Sequence, residues 1–304
     1  MTSFKTYLES KALSKSTIKH YTTYLYEFIT WLDKDNTEPE NATEKEITGY
    51  LNHLQKKGQG NSTRNIRLNV IKQYFDWQYE NGSRSDNPAT HIKIRGTKQK
   101  KLYPVLTRQE LDTLYLDYKL PEKDDPNNKR NWWQVHKLSR TRNKAMLSLV
   151  IWQGLTTAEV DKLTEKDIKL REGKIYVAGS RKSNERELEL KPQQIMELME
   201  YIYTVRKELL ETSKKQTDQL FVSTGENEQS NNNWKRLCHA LKAQNPKFIN
   251  LKQVRTSVIT GWLKQHNLRQ VQYMAGHRYV SSTEAYMVND IEDLAEEIQR
   301  YHPL

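Results

Sequence analysis

The stretch from Leu251 to Tyr286 reads LKQVRTSVITGWLKQHNLRQVQYMAGHRYVSSTEAY, and its spacing organises the rest of the chain around it. Apolar positions predict two successive helices, Leu251 to Gln265 and Leu268 to Ala275, the second closed by Gly276 where a helix C-cap belongs. Lys252 and Arg255 stand three residues apart, so both project from one face of the first helix, close to its N-terminus. Two neighbouring cations repel unless an anion lies between them. With the positive end of the helix dipole behind them, that face suits a phosphate. Gly276-His277 ends the second helix, and Tyr286 follows nine residues after His277, beyond Ser281, Ser282 and Thr283.

Upstream of this stretch the pattern stays mostly helical. A capping box of Thr107 and Glu110 opens a unit ahead of Leu111 and Leu114. Pro121 to Trp133 is polar and rich in Asp and Asn, which predicts a loop. A buried helix is expected from Arg142 to Gln153, then Gly154 and a short helix carrying Val160 and Leu163, capped by a second box of Thr156 and Glu159. Lys174 to Val177 and Glu187 to Leu190 alternate as strands do, with polar Gly179 to Arg186 between them, giving a β-hairpin or small sheet. Helices return at Ile195 to Leu210 and Trp234 to Ala243, and a last one carries Ile291, Leu294 and Ile298.

The first 90 residues read as a small helical bundle. Ile18, Tyr21, Leu25, Phe28 and Leu32 line one face of a helix from Ser14 to Asp33, with Ser14 or Ser16 as its cap. Thr43 and Glu46 box the start of a second helix, which Gly58 and Gly60 end, and a third runs from Ser62 to Asn81-Gly82. Between the two units, His91 to Lys101 carries Lys93, Arg95, Lys98, Lys100 and Lys101 and no acidic residue. Charge of one sign suits a segment lying along a phosphate backbone.

The chain has 304 residues and a net charge of +11, a balance that makes a polyanion the natural partner. Its single cysteine, Cys238, excludes an internal disulfide framework and fits a reducing compartment. No apolar run is long enough to cross a bilayer, and Met1 to Ser10 lacks the apolar stretch of a signal peptide. The expectation is a cytoplasmic protein without a membrane partner.

The order Lys252, Arg255, Gly276-His277, Tyr286 resembles the C-terminal signature of tyrosine recombinases of the phage integrase family, a His-x-x-Arg helix, then Gly-His, then a tyrosine nucleophile. The resemblance runs over nearly the whole chain. It implies a mainly α protein with a small β-hairpin or sheet (α+β). Residues 1–90 would be a helical, SAM-like core-binding domain, 91–104 a basic linker, and 105–304 the catalytic domain with a C-terminal tail helix. It implies a site-specific recombinase that cuts and rejoins double-stranded DNA through a 3′-phosphotyrosyl link at Tyr286, without cofactor or metal. Such an enzyme works as a homo-oligomer, a tetramer on two DNA sites, with accessory DNA-bending proteins as further partners. Arg255 and His277, helped by Lys252, would hold the phosphoryl oxygens, and Lys182 in the hairpin turn would protonate the leaving oxygen; counting back from Arg186 selects Arg181 for that place instead. Arg64, Arg67 and the linker cations Lys93, Arg95, Lys98, Lys100 and Lys101 are the candidate DNA contacts.

Two positions depart from the family pattern. Where the family has an arginine after Gly-Leu, this chain reads Gly154, Leu155, Thr156, and where it has histidine, this chain has Lys252. Thr156 offers one neutral hydrogen bond in place of a charged fork. Arg140, Arg142 and Arg181 are the nearby cations that could replace it. The alternative reading is a recombinase-derived DNA-binding protein, architectural or regulatory, that does not cleave.

Overall fold

The computed structural model describes residues 3–34, 36–96, 103–122, 125–225 and 230–287. The chain divides into two compact units, Met1–Lys101 and Leu102–Leu304. It is mainly helical with one small sheet, as the patterning predicts.

The first unit is a bundle of α1 (Phe4–Ser10), α2 (Lys15–Asp33), α3 (Glu44–Lys56) and α4 (Asn61–Glu80). Ser14, not Ser16, caps α2, accepting from the Thr17 amide at 3.1 Å. The Thr43–Glu46 box opens α3. Phe28, Leu32, Ile47, Leu51, Ile71 and Phe75 form the centre of its core, each worth about 1.5–3 kcal/mol of burial. Helix α1 was not expected, because seven residues give too few turns for a period to show; it buries Phe4, Tyr7 and Leu8. The segment after α4 packs back along it: Ile92 and Ile94 lie on the core, and the Asn61 amide donates to the Arg95 carbonyl at 2.9 Å.

The second unit contains α5 (Arg108–Leu116), α6 (Trp133–Trp152), α7 (Thr157–Val160), β1 (Ile168–Lys169), β2 (Lys174–Val177) and β3 (Arg186–Glu189). It continues with α8 (Pro192–Glu200), α9 (Arg206–Ser213), α10 (Ser230–Gln244), α11 (Leu251–Leu263), α12 (Leu268–Ala275) and α13 (Val280–Glu284). The three strands are antiparallel in sequence order, with Ile175 opposite Leu188 and Val177 opposite Arg186. Strand β1, two residues long, adds an edge that alternation is too brief to signal. A π-helical turn, Tyr201–Val205, joins α8 to α9.

Helix α6 runs through the core of this unit, burying Met146, Leu149, Val150 and Ile151. It begins at Trp133, earlier than the expected Arg142, because its first turns are cationic and polar apart from Trp133, Val135 and Leu138. Gly154 ends it with φ +59°, and the Leu155 amide reaches back to the Leu149 carbonyl at 3.3 Å. Buried Gln153 ties this end to the Glu189 carbonyl (2.8 Å) and to Gln194 (2.9 Å), fixing the turn that presents Thr156. The expected tail helix with Ile291, Leu294 and Ile298 lies outside the described residues.

Candidate active site

Three segments of the second unit meet: the turn from α6 into α7, the start of β3, and the run from α11 to Tyr286. Helix α11 starts at the Asn250 cap, whose side chain accepts from the Gln253 amide at 3.0 Å. That places Arg255 in its second turn. The Arg255 fork donates to the Gly154 carbonyl and, at 2.8 Å, to the Ala275 carbonyl. The Ala275 carbonyl is the last of α12 and the Gly154 carbonyl lies two residues past α6, both at helix C-terminal ends, where unpaired oxygens and the dipole favour a cation. One guanidinium thus pins the ends of α6 and α12 together. Lys252, one turn earlier, is exposed.

Gly276 turns α12 into the next segment at φ +69° and so sets His277. The imidazole has Nδ1 2.9 Å from the buried Thr283 hydroxyl and Nε2 3.4 Å from Arg255 Nη2. Since Arg255 can only donate, Nε2 carries the lone pair and Nδ1 the proton, which it donates to Thr283. Burial, then the charges of Arg255 and Arg186, push the His277 pKa down to about 4, so the ring is neutral at pH 7. The Tyr286 ring stacks on it, centroids 5.6 Å apart and planes 15° from parallel, and packs against Ile259, Val271 and Ala275. Burial likewise lowers the Arg255 pKa, opposed by the Glu159 carboxylate and then the Tyr286 hydroxyl.

Thr156 caps α7 in the expected box: its hydroxyl accepts from the Glu159 amide at 3.2 Å and lies 2.9 Å from Glu159 Oε2. The carboxylate is the hub of the site. Its Oε1 accepts from Arg186 at 2.7 Å, and its Oε2 lies 3.8 Å from Arg255 Nη1. Burial tends to raise the Glu159 pKa, but the hydrogen bond and charge of Arg186, the Thr156 amide and Arg255 outweigh it and hold it below the usual value. Neither Glu159, as more than a cap, nor Arg186 was among the expected site residues. The signal for Arg186 was in the strand: it lies in phase with Leu188 and Leu190 and so on the buried face.

The structure brings Tyr286, His277 and Arg255 together and does not bring Arg140 or Arg142 to them. Arg142 is wholly buried, bonded to the Val222 carbonyl at 2.8 Å and to Asn143. Arg140 stacks on Tyr118. Arg181 and Lys182 are exposed at the tip of the β2–β3 hairpin. That tip is seated on the Gly-His turn: the Asn184 amide donates to the Gly276 carbonyl at 2.9 Å, and Arg278 donates to the Arg181 carbonyl at 2.9 Å. In the first unit, Arg67 is turned inward, paired with Glu27 and bonded to the Tyr50 hydroxyl at 3.2 Å. Arg64 is also largely buried and donates to Asn61 at 3.2 Å, so neither side chain is presented at the surface as expected of a DNA contact. Lys93 and Arg95 are exposed; Lys98, Lys100 and Lys101 lie outside the described residues.

A tyrosine ring stacked on a neutral imidazole, with its hydroxyl engaged by a buried guanidinium, defines a class of site suited to attack on a phosphodiester and to holding the charge that develops there. The chain belongs to the phage integrase family: that family's description matches residues 129–292, and the family's N-terminal SAM-like domain matches residues 1–82. Tyrosine recombinase XerD of Oceanobacillus iheyensis is 29% identical over 298 residues, spanning 96% of this chain and 94% of the relative. Among solved structures, XerH site-specific recombinase bound to palindromic difH substrate in a post-cleavage complex matches with a TM-score of 0.67, at 20% identity, over 93% of this chain and 79% of that one. A lambda integrase tetramer bound to a Holliday junction matches with a TM-score of 0.63, at 16% identity, over 93% and 74%. At these identities the likeness is one of fold.

Proposed function

We propose that this protein is a site-specific DNA recombinase in which the Tyr286 oxygen attacks a phosphodiester of duplex DNA. The observation that carries the reading is the packing of Tyr286 on a neutral His277, itself against Arg255. The new bond joins Tyr286 to phosphorus and the 5′ oxygen leaves; the 3′ phosphate stays on the enzyme, so bond energy is kept and no nucleotide cofactor is consumed. A phenol has a pKa of about 10 and needs help to ionise near neutrality. Neutral His277 has a lone pair to receive that proton, and the imidazolium so formed adds positive charge as the phosphoryl oxygens gain negative charge. Lys182, at the exposed hairpin tip, supplies a proton to the leaving oxygen, and Lys252 adds a cation at the start of α11. Attack by a 5′ hydroxyl of a second duplex reverses the chemistry and exchanges strands. That requires two sites and several copies of the chain, as in the tetramer that the lambda integrase structure holds on a Holliday junction. Working on DNA in this way fits a cytoplasmic protein, with the net charge of +11 drawing the duplex in.

Thr156 favours a second reading, a DNA-binding protein that does not cleave, because its hydroxyl is engaged by Glu159. One experiment separates the two. Duplexes selected by the chain from a random-sequence pool are nicked at successive positions and run on denaturing gels after incubation. A recombinase gives a covalent band that Tyr286→Phe abolishes; tight binding with no band at any nick position supports the second reading.

A further inference from the structure

We propose that Arg186 supplies the site's second guanidinium, in place of the arginine that Thr156 replaces. This rests on the recombinase reading and deepens it.

The Arg186 side chain is wholly buried at the start of β3, yet of its donors only Nη1 is engaged, by Glu159 Oε1; Nε and Nη2 have no partner. A buried guanidinium that only held a fold would be expected to satisfy its fork, since idle buried donors are costly. Arg186 also lies where a side chain from position 156 would reach. Thr156 Oγ1 and Arg186 Nη1 approach the two oxygens of one carboxylate, at 2.9 and 2.7 Å. The residue that lost its charge and the residue that carries one are neighbours across Glu159.

The fold makes room for this guanidinium at the reacting end of the site. Gly276, the residue before His277, lies directly against it: a Cβ there would stand 2.8 Å from Arg186 Cζ and 3.2 Å from the Asn184 carbonyl. Through Nη1 and Cζ the guanidinium adjoins the seam between the Gly-His turn and the seated hairpin tip, and a phosphate reaches its covered donors by parting that seam. Charge fits as well. Among the buried groups, two guanidinium groups, Arg186 and Arg255, against one carboxylate, Glu159, with His277 neutral, leave one net positive charge for the single negative charge of a phosphodiester. As attack adds charge to the phosphoryl oxygens, Arg255 serves one and Arg186 the other.

The test uses the full chain and the selected, nicked duplexes, made with either an ordinary phosphodiester or a methylphosphonate at the scissile position. The methylphosphonate lacks the negative charge that a second cation would neutralise. Arg186→Ala should slow adduct formation on the phosphodiester by about 10²–10³-fold, the loss seen when one preorganised donor is removed, while DNA binding stays close to that of the unaltered chain. The deficit should shrink on the methylphosphonate, and Thr156→Arg added to Arg186→Ala should restore the phosphodiester reaction. Should Arg186→Ala not fold, the double variant, which returns a cation to Glu159, carries the test: adduct formation supports the assignment, and a folded, inactive protein overturns it. An unchanged rate in Arg186→Ala, or a loss that neither the methylphosphonate nor Thr156→Arg relieves, overturns the Arg186 assignment alone. No adduct from the unaltered chain overturns the recombinase reading and Arg186's role with it.

Discussion

His277 lies between Tyr286 and Arg255, and in the proposed mechanism its state of protonation decides whether it receives a proton or repels Arg255. Its folded pKa of about 4 lies below the ordinary histidine value of about 6.5, through burial first and then the charges of Arg255 and Arg186. Between those two values the unfolded chain binds more protons than the folded one, so stability rises with pH across the window. The contribution is complete above about 6.5 and is lost as pH falls towards 4. An NMR titration of the free chain should place the His277 ring near 4, with thermal stability falling over the same range. A ring that titrates near 6.5 would remove the neutral acceptor from the mechanism. That Tyr286, Arg255 and His277 come together was legible in the sequence, because their order runs along 36 consecutive residues, Leu251 to Tyr286. Arg186 was not, because its role depends on Glu159, 27 residues away, and on a glycine 90 residues downstream.

Helix ends position this site more than helix bodies do. Arg255 holds the Gly154 carbonyl just past α6 and the last carbonyl of α12, Thr156 caps α7, and Gly276 closes α12 in the left-handed region. Local signals of this kind read well: the three Thr–Glu capping boxes and the Gly276 C-cap all stood in the sequence. What failed were elements without a clear period, such as the seven-residue α1, the two-residue β1 and the polar opening turns of α6. Gly276→Ala should cost about 1–2 kcal/mol for the left-handed backbone alone, and more because its Cβ meets the Arg186 guanidinium. Urea unfolding would show a lowered midpoint with unchanged slope. A midpoint equal to that of the unaltered protein would mean that Arg186 does not sit against Gly276.

Each of the two units has its own hydrophobic core, one built on α2 and α4 and the other on α6. Residues 1–101 and 102–304, expressed separately, should therefore each unfold in a single cooperative transition followed by circular dichroism. A fragment that shows no transition would mean that its core depends on the other unit. The helical bundle was legible from amphipathic spacing and the second unit from its capping boxes and hairpin. The packing of Ile92 and Ile94 onto the first core was hidden by the cations around them. Everything proposed for this chain depends on Tyr286 as the nucleophile, and mapping the covalent adduct tests this most directly. Protease digestion of the protein–DNA product followed by mass spectrometry should find a nucleotide joined through its 3′ phosphate to the peptide that contains Tyr286. A link to any other residue, or tightly bound DNA that carries no peptide, would contradict the account.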